Sequence, residues 1–175
     1  MTVQTKIKTK RYLIYAFIIL MAHLFQNTVC IFPQIASVRP ILLISVAVCI
    51  SMFEGEIIGA CAGLLAGALW DTVTVAADGY NAFYMMAACA VCGVLLRILM
   101  RNNIVTYIIM NSGITLIYVI TYIIFFIAAR GIDGGVLMFF RYYLPMTIYS
   151  LLLTPLWYIL IRTVYRKFSY DYTEY

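Results

Sequence analysis

Charged residues leave gaps in this chain that are as long as a bilayer is thick. Residues 12–32 and 104–128 contain no Asp, Glu, Lys or Arg. A helix rises 1.5 Å per residue, so about 20 apolar residues cross a hydrocarbon core of about 30 Å. The whole chain is 65% hydrophobic and 11% charged, whereas soluble domains carry about 25% charged residues. The pattern predicts an all-α integral membrane protein, a six-transmembrane-helix bundle forming one membrane domain over residues 1–175. The expected spans are 12–32, 40–53, 57–76, 80–100, 104–128 and 142–161. Little chain remains outside them, so function has to come from the bundle, its short loops or proteins that dock on it.

The first segment follows Lys6, Lys8, Lys10 and Arg11. It is too long for a secretory h-region and lacks a small-residue cleavage site, so a retained helix is expected. The second segment is short: the 13 uncharged residues 41–53 make about 20 Å of helix, as in a re-entrant or shielded element. Pro40 suits its first turn, where a missing N–H costs nothing. Counting basic residues beside the spans decides the orientation. With six spans and both termini cytoplasmic, Lys6, Lys8, Lys10, Arg11, Arg97, Arg101, Arg162, Arg166 and Lys167 lie inside, against Arg39, Arg130 and Arg141 outside, nine to three. If the second segment did not cross, the count becomes six to six. The six-span topology puts Glu54 and Glu56 in a tight cytoplasmic turn and Asp78-Gly79 in a tight external one, with a glycine-rich external loop over 129–141.

Gly55, Gly59, Gly63 and Gly67 recur every fourth residue, and Asp71 continues the row. Such positions stack along a helix face with a drift of about 40° per step, which makes a slowly winding groove. Small-residue grooves let helix backbones approach closely in lipid. The row therefore serves packing within this chain or the reception of another protein's transmembrane helix. Asp71, expected about a turn inside the external end of its helix, should face protein, since an intramembrane charge is costly. Its candidate partners are the amides of the following turn near Asp78-Gly79, or Arg39 or Arg141; Asp78, Gly79 and Asn81 make up that external turn. The expectation is that Asp71 fixes this external turn and the helix pair beneath it. His23 and Asn27, four apart, and Asn111 and Ser112 read as polar residues satisfied between helices. Cys30, Cys49, Cys61, Cys89 and Cys92 lie in or beside apolar segments and read as reduced packing residues. No paired nucleophile and base or carboxylate cluster stands at a recognisable spacing, so no enzyme, metal or cofactor is expected. The cytoplasmic Arg97, Arg101, Arg162, Arg166 and Lys167 suit an anionic leaflet or a cytoplasmic filament; no nucleic-acid partner is expected.

The stretch Arg39-Pro40-Ile41-Leu42-Leu43, the series Gly59-x3-Gly63-x3-Gly67-x3-Asp71 and the following Gly79-x-Asn81-Ala82 resemble the MreD family of bacterial rod-shape proteins. Thr154-Pro155-Leu156-Trp157 and the basic stretch from Arg162 to Phe168 resemble the family's carboxyl-terminal end. Two details depart from the pattern: Ala68-Leu69-Trp70 stands where the family often has Gly-Leu-Leu, and Leu156 separates Pro155 from Trp157. The resemblance implies a non-enzymatic membrane subunit of the cell-elongation (rod) complex, supporting rod shape and lateral peptidoglycan synthesis in the bacterial cytoplasmic membrane. Its implied partners are an MreC-like bitopic protein and, through it, the MreB filament, RodA and a class B penicillin-binding protein. The implied fold is similar to the S-components of energy-coupling-factor transporters, which supplies the alternative of a substrate-binding subunit for vitamin uptake.

Overall fold

A computed structural model of the chain describes residues 3–28, 40–74, 79–99, 102–128 and 139–170. The expectations for Arg39, Asp78, Arg101, Arg130, Cys30 and most of the 129–141 loop lie outside the described residues. Those described form six α-helices: α1 (Val3–Asn27), α2 (Leu42–Glu54), α3 (Glu56–Asp71), α4 (Tyr80–Ile98), α5 (Ile104–Tyr122) and α6 (Leu144–Tyr170). A π-helical turn, Ile123–Ala128, continues α5, and another, Phe139–Tyr143, leads into α6. Tyr80–Ile98, Ile104–Phe126 and Phe139–Phe168 are long and apolar enough to cross a membrane. At 13 and 16 residues, α2 and α3 are shorter than a span.

Helix α2 occupies the centre of the bundle. Every residue from Leu42 to Met52 is buried, and α1, α3, α4, α5 and α6 all pack on it. Its composition is apolar all round, as expected of a helix with no outward face. That position accounts for the shortness noted above, because a helix sheathed on every side has no lipid thickness to match.

The start of α2 differs from the expectation for Pro40. The helix opens at Leu42, and Ile41 before it is extended (φ −88°, ψ 92°). Side chains from distant helices hold this entry. Ser150 Oγ of α6 accepts the Ile41 N–H at 2.7 Å, and Gln26 Oε1 of α1 accepts the Leu42 and Leu43 N–H groups at 2.9 and 3.2 Å. The first N–H groups of a helix have no intrahelical acceptor. Once α2 is buried, water cannot supply one, so Gln26 does, and Pro40 falls before the cap.

A second polar knot joins α2 to α5 and α6 at mid-bundle. Asn111 Nδ2 donates to Ser45 Oγ and to Thr154 Oγ1, both at 3.0 Å. Tyr107 donates its hydroxyl to the Ser45 carbonyl at 2.6 Å. Asn111, Tyr107 and Thr154 are all fully buried. Interhelical hydrogen bonds of this kind hold helices together where apolar burial offers no drive.

Candidate partner-binding site

The glycine row winds across two neighbours inside the bundle. A Cβ on Gly59 would overlap Ser51 of α2, one on Gly63 the Met85 backbone of α4, and one on Gly67 the backbone of Asn81 and Ala82. The about 40° drift per step explains the change of partner from α2 to α4 along the row. From the other side, Gly93 of α4 packs on α3, where a Cβ would come 2.6 Å from Glu56 N and Cα. Helices α3 and α4 are thus an antiparallel pair in backbone contact near both ends. Gly59, Gly63 and Gly67 are filled by this chain's own α2 and α4; Gly55, expected to open the row, instead lies in the turn before α3 with a φ of 88° and open space where a Cβ would stand, so it is not part of the groove. The outward side of α3, with Ile57, Leu64 and Leu65 exposed, is apolar.

Asp71 closes the end of this pair at which α3 stops and α4 begins. It is the last residue of α3, not a residue one turn inside it, because the chain leaves the helix through a tight turn in which Val73 N and Thr74 N both donate to the Trp70 carbonyl. The carboxylate caps α4: Oδ2 accepts the Ala82 N–H at 2.9 Å and Oδ1 the Asn81 N–H at 3.3 Å. A carboxylate there also meets the positive end of the helix dipole. Gly79 makes the approach possible, as its φ of 78° is a left-handed conformation open to glycine.

Asn81 extends the network. It is fully buried; its Nδ2 donates to Thr74 Oγ1 at 3.2 Å, and its Oδ1 accepts the Tyr118 hydroxyl of α5 at 2.7 Å. Tyr118 also packs on Trp70, with ring centroids 5.2 Å apart, so the bulky residue beside Asp71 fills the space between α3 and α5. Tyr80 and Tyr84 of α4 donate to Thr121 Oγ1 and the Ile114 carbonyl of α5, each at 2.7 Å. Further along α4, away from the Asp71 end, an apolar groove of 450 Å³ lies between α4 and α5, lined by Ala87, Ala88, Val91, Met110 and Gly113 among others.

The opposite end is held by ion pairs. Arg11 of α1 donates to Glu54 Oε2 at 2.8 Å, and the Tyr15 hydroxyl donates to Oε1 at 3.0 Å. The Arg11 guanidinium lies over the Tyr165 ring of α6 at 5.3 Å, so three helices meet at one cation. Burial pushes the Glu54 carboxyl upward, opposed by the Arg11 charge. Arg97 pairs with Glu56 at 2.7 Å on the exposed surface. Glu56 sits at the start of α3, and a backbone hydrogen bond there, aided by Arg97, holds its carboxyl below the usual range. Arg162, Arg166 and Lys167 lie on exposed parts of α6.

The other sequence-predicted residues stay apart from this network. Asn27 donates to the His23 carbonyl at 2.9 Å within α1. Cys89 and Cys92 are buried free thiols, and Cys61 is exposed. Arg141 lies over the Tyr142 ring, and Asp71 bonds the Asn81 and Ala82 amides instead of this cation. Among the described residues no three His, Cys, Asp or Glu side chains are grouped as a metal site. Gln26, Ser45, Ser150 and Tyr118 were not singled out by the sequence, since a lone polar residue in an apolar run does not reveal which helix it faces.

The arrangement is therefore a helix pair with one capped, hydrogen-bonded end and an ion-paired opposite end, with Gly59, Gly63 and Gly67 internally occupied. A sequence model of the family described as rod shape-determining protein MreD matches residues 6–168. The chain belongs to the MreD family. The match spans both the amino-terminal helix and α6, so the glycine row, Asp71 and the carboxyl-terminal basic stretch all fall inside it. Membership makes it one of a family of rod shape-determining membrane proteins, in keeping with its long apolar helices. No curated protein and no solved structure gives a significant match.

Proposed function

We propose that this MreD-family chain is a non-enzymatic scaffold subunit of the bacterial elongation machinery, crossing the cytoplasmic membrane six times with both termini inside. In this reading it binds an MreC-like bitopic protein and acts through it on the MreB filament, RodA and a class B penicillin-binding protein during lateral peptidoglycan synthesis. The family match over residues 6–168 carries the reading. The chemistry agrees: the one carboxylate at the family motif, Asp71, is occupied by two backbone amides. A group so engaged holds a helix in place.

Because α2 and α4 fill the glycine row, a partner helix has to dock on the outward apolar surface, where the α4–α5 groove and a 330 Å³ groove between α1 and α3 offer relief. Affinity purification of the tagged protein from its own membranes tests the assignment. Recovery of a bitopic MreC-like protein is expected; recovery of transporter ATPase subunits or a bound vitamin overturns it in favour of the S-component alternative.

A further inference from the structure

The loop after α4 and the start of α5 form a cleft against α6 that the scaffold reading does not use. It has a volume of 320 Å³ and is lined by Asn102, Asn103, Ile104, Val105, Tyr158, Ile159 and Arg162. That lies at the lower end of the about 300–1,000 Å³ range of small-molecule sites. The lining is divided. Asn102, Asn103 and Arg162 are polar, while Val105 and Ile159, each 62% exposed, carry apolar surface outward beside them.

Among the described residues, no carboxylate pairs with the charge in this cleft. The acidic residues among those described are Glu54, Glu56 and Asp71. Glu54 is taken by Arg11 and Glu56 by Arg97, and Asp71 caps α4 at the far end. Arg162 instead rests beside the Tyr158 ring, 5.8 Å from its centroid. One turn on, Arg166 and Lys167 continue the basic face of α6. The first amides of α5 add partial positive charge, because Asn103 makes no side-chain cap there.

From this complementarity we propose that the α5–α6 cleft is a binding site for the phosphodiester headgroup of an anionic phospholipid. Arg162 engages the phosphate, and Asn103 with the α5 amides contributes donors. The exposed Val105 and Ile159 lie along the acyl chains. A soluble anion would meet the same cation but gain nothing from the apolar rim. A zwitterionic lipid would bring its own ammonium into a cleft with no described carboxylate free to receive it. The site uses the membrane placement of the chain and is independent of partner binding, so failure to recover an MreC-like protein leaves it standing.

Native mass spectrometry of the full-length protein, titrated with phosphatidylglycerol and with phosphatidylcholine of the same acyl chains, tests the assignment. The wild type should bind the first phosphatidylglycerol more tightly than phosphatidylcholine. Arg162→Gln should weaken that step about fivefold, the factor worth about one interfacial cation, and Arg162→Lys should retain most of it. Asn103→Asp keeps an equally good N-cap residue and complements the helix dipole while placing a negative charge in the cleft. It should fold at least as stably as wild type yet bind phosphatidylglycerol less well, so loss of binding is separable from loss of fold. Arg141→Gln, away from the cleft, should change nothing. Equal binding of both lipids by wild type, or unchanged phosphatidylglycerol binding in Arg162→Gln, overturns the proposal; so does displacement of the lipid by millimolar inorganic phosphate, which would make the site one for a soluble anion.

Discussion

Replacing Asp71 by alanine removes the acceptor for two backbone amides at once. Loss of a helix N-cap costs about 0.5–2 kcal/mol, and loss of the carboxylate from the positive helix end about 0.3–1 kcal/mol more. Asn81, whose N–H is one of the orphaned donors, is fully buried, which favours the upper part of the range. Asp71 itself is half-exposed, which discounts the electrostatic part. About 2 kcal/mol is therefore expected for Asp71→Ala, and about half of that for Asp71→Asn, which keeps one oxygen acceptor but loses the charge. The Asn81–Tyr118 bond of 2.7 Å should loosen with the cap, so the damage should reach α5. Equilibrium unfolding of the purified protein in mixed micelles, followed by helical circular dichroism, measures the loss. Amide hydrogen exchange at Asn81 and Ala82 reports its location. Stability of Asp71→Ala within 0.5 kcal/mol of wild type, or unaltered exchange at those amides, would refute the capping role.

Gly67→Ala and Gly113→Ala should have opposite effects. The first drives a Cβ into the Asn81 and Ala82 backbone and should cost about 1–3 kcal/mol as an overpacked contact. The second meets open space inside a helix and should stabilise by about 0.5–1 kcal/mol, both read by the same unfolding assay. Arg11→Gln leaves Glu54 buried without its cation and should cost about 3 kcal/mol near neutral pH. Because burial already raises the Glu54 pKa, the protonated form is the one folding favours; the deficit should shrink as pH falls toward the ordinary carboxyl value of 4.5 and return as pH rises through the folded pKa. A deficit independent of pH would show that Glu54 is not its source.

Helices α4 and α5 run Tyr80–Ile98 and Ile104–Tyr122, the latter prolonged by a π-helical turn to Ala128, and each lies within one of the apolar runs 80–100 and 104–128. The charged residues that bound these runs are visible in one dimension. The ends of α2 and α3 were less legible. Pro40 suggested a first turn, but the entry of α2 is governed by Gln26 and Ser150, 16 and 109 residues from their backbone donors. The apolar run continues to Ala76 and predicts a longer helix with Asp71 inside it, since it carries no break for periodicity to detect.

The sequence by itself determined the helices, the close-packing character of the glycine row and the family, since these depend on composition and on residues near one another in the chain. Only the tertiary structure decided that the shortest helix is the central one, that the glycine row is filled from within, and that Asp71 caps α4. The physical reason is common to all three. Once a backbone or polar group leaves water it must find a partner among the side chains that packing brings to it, and that choice is made between helices.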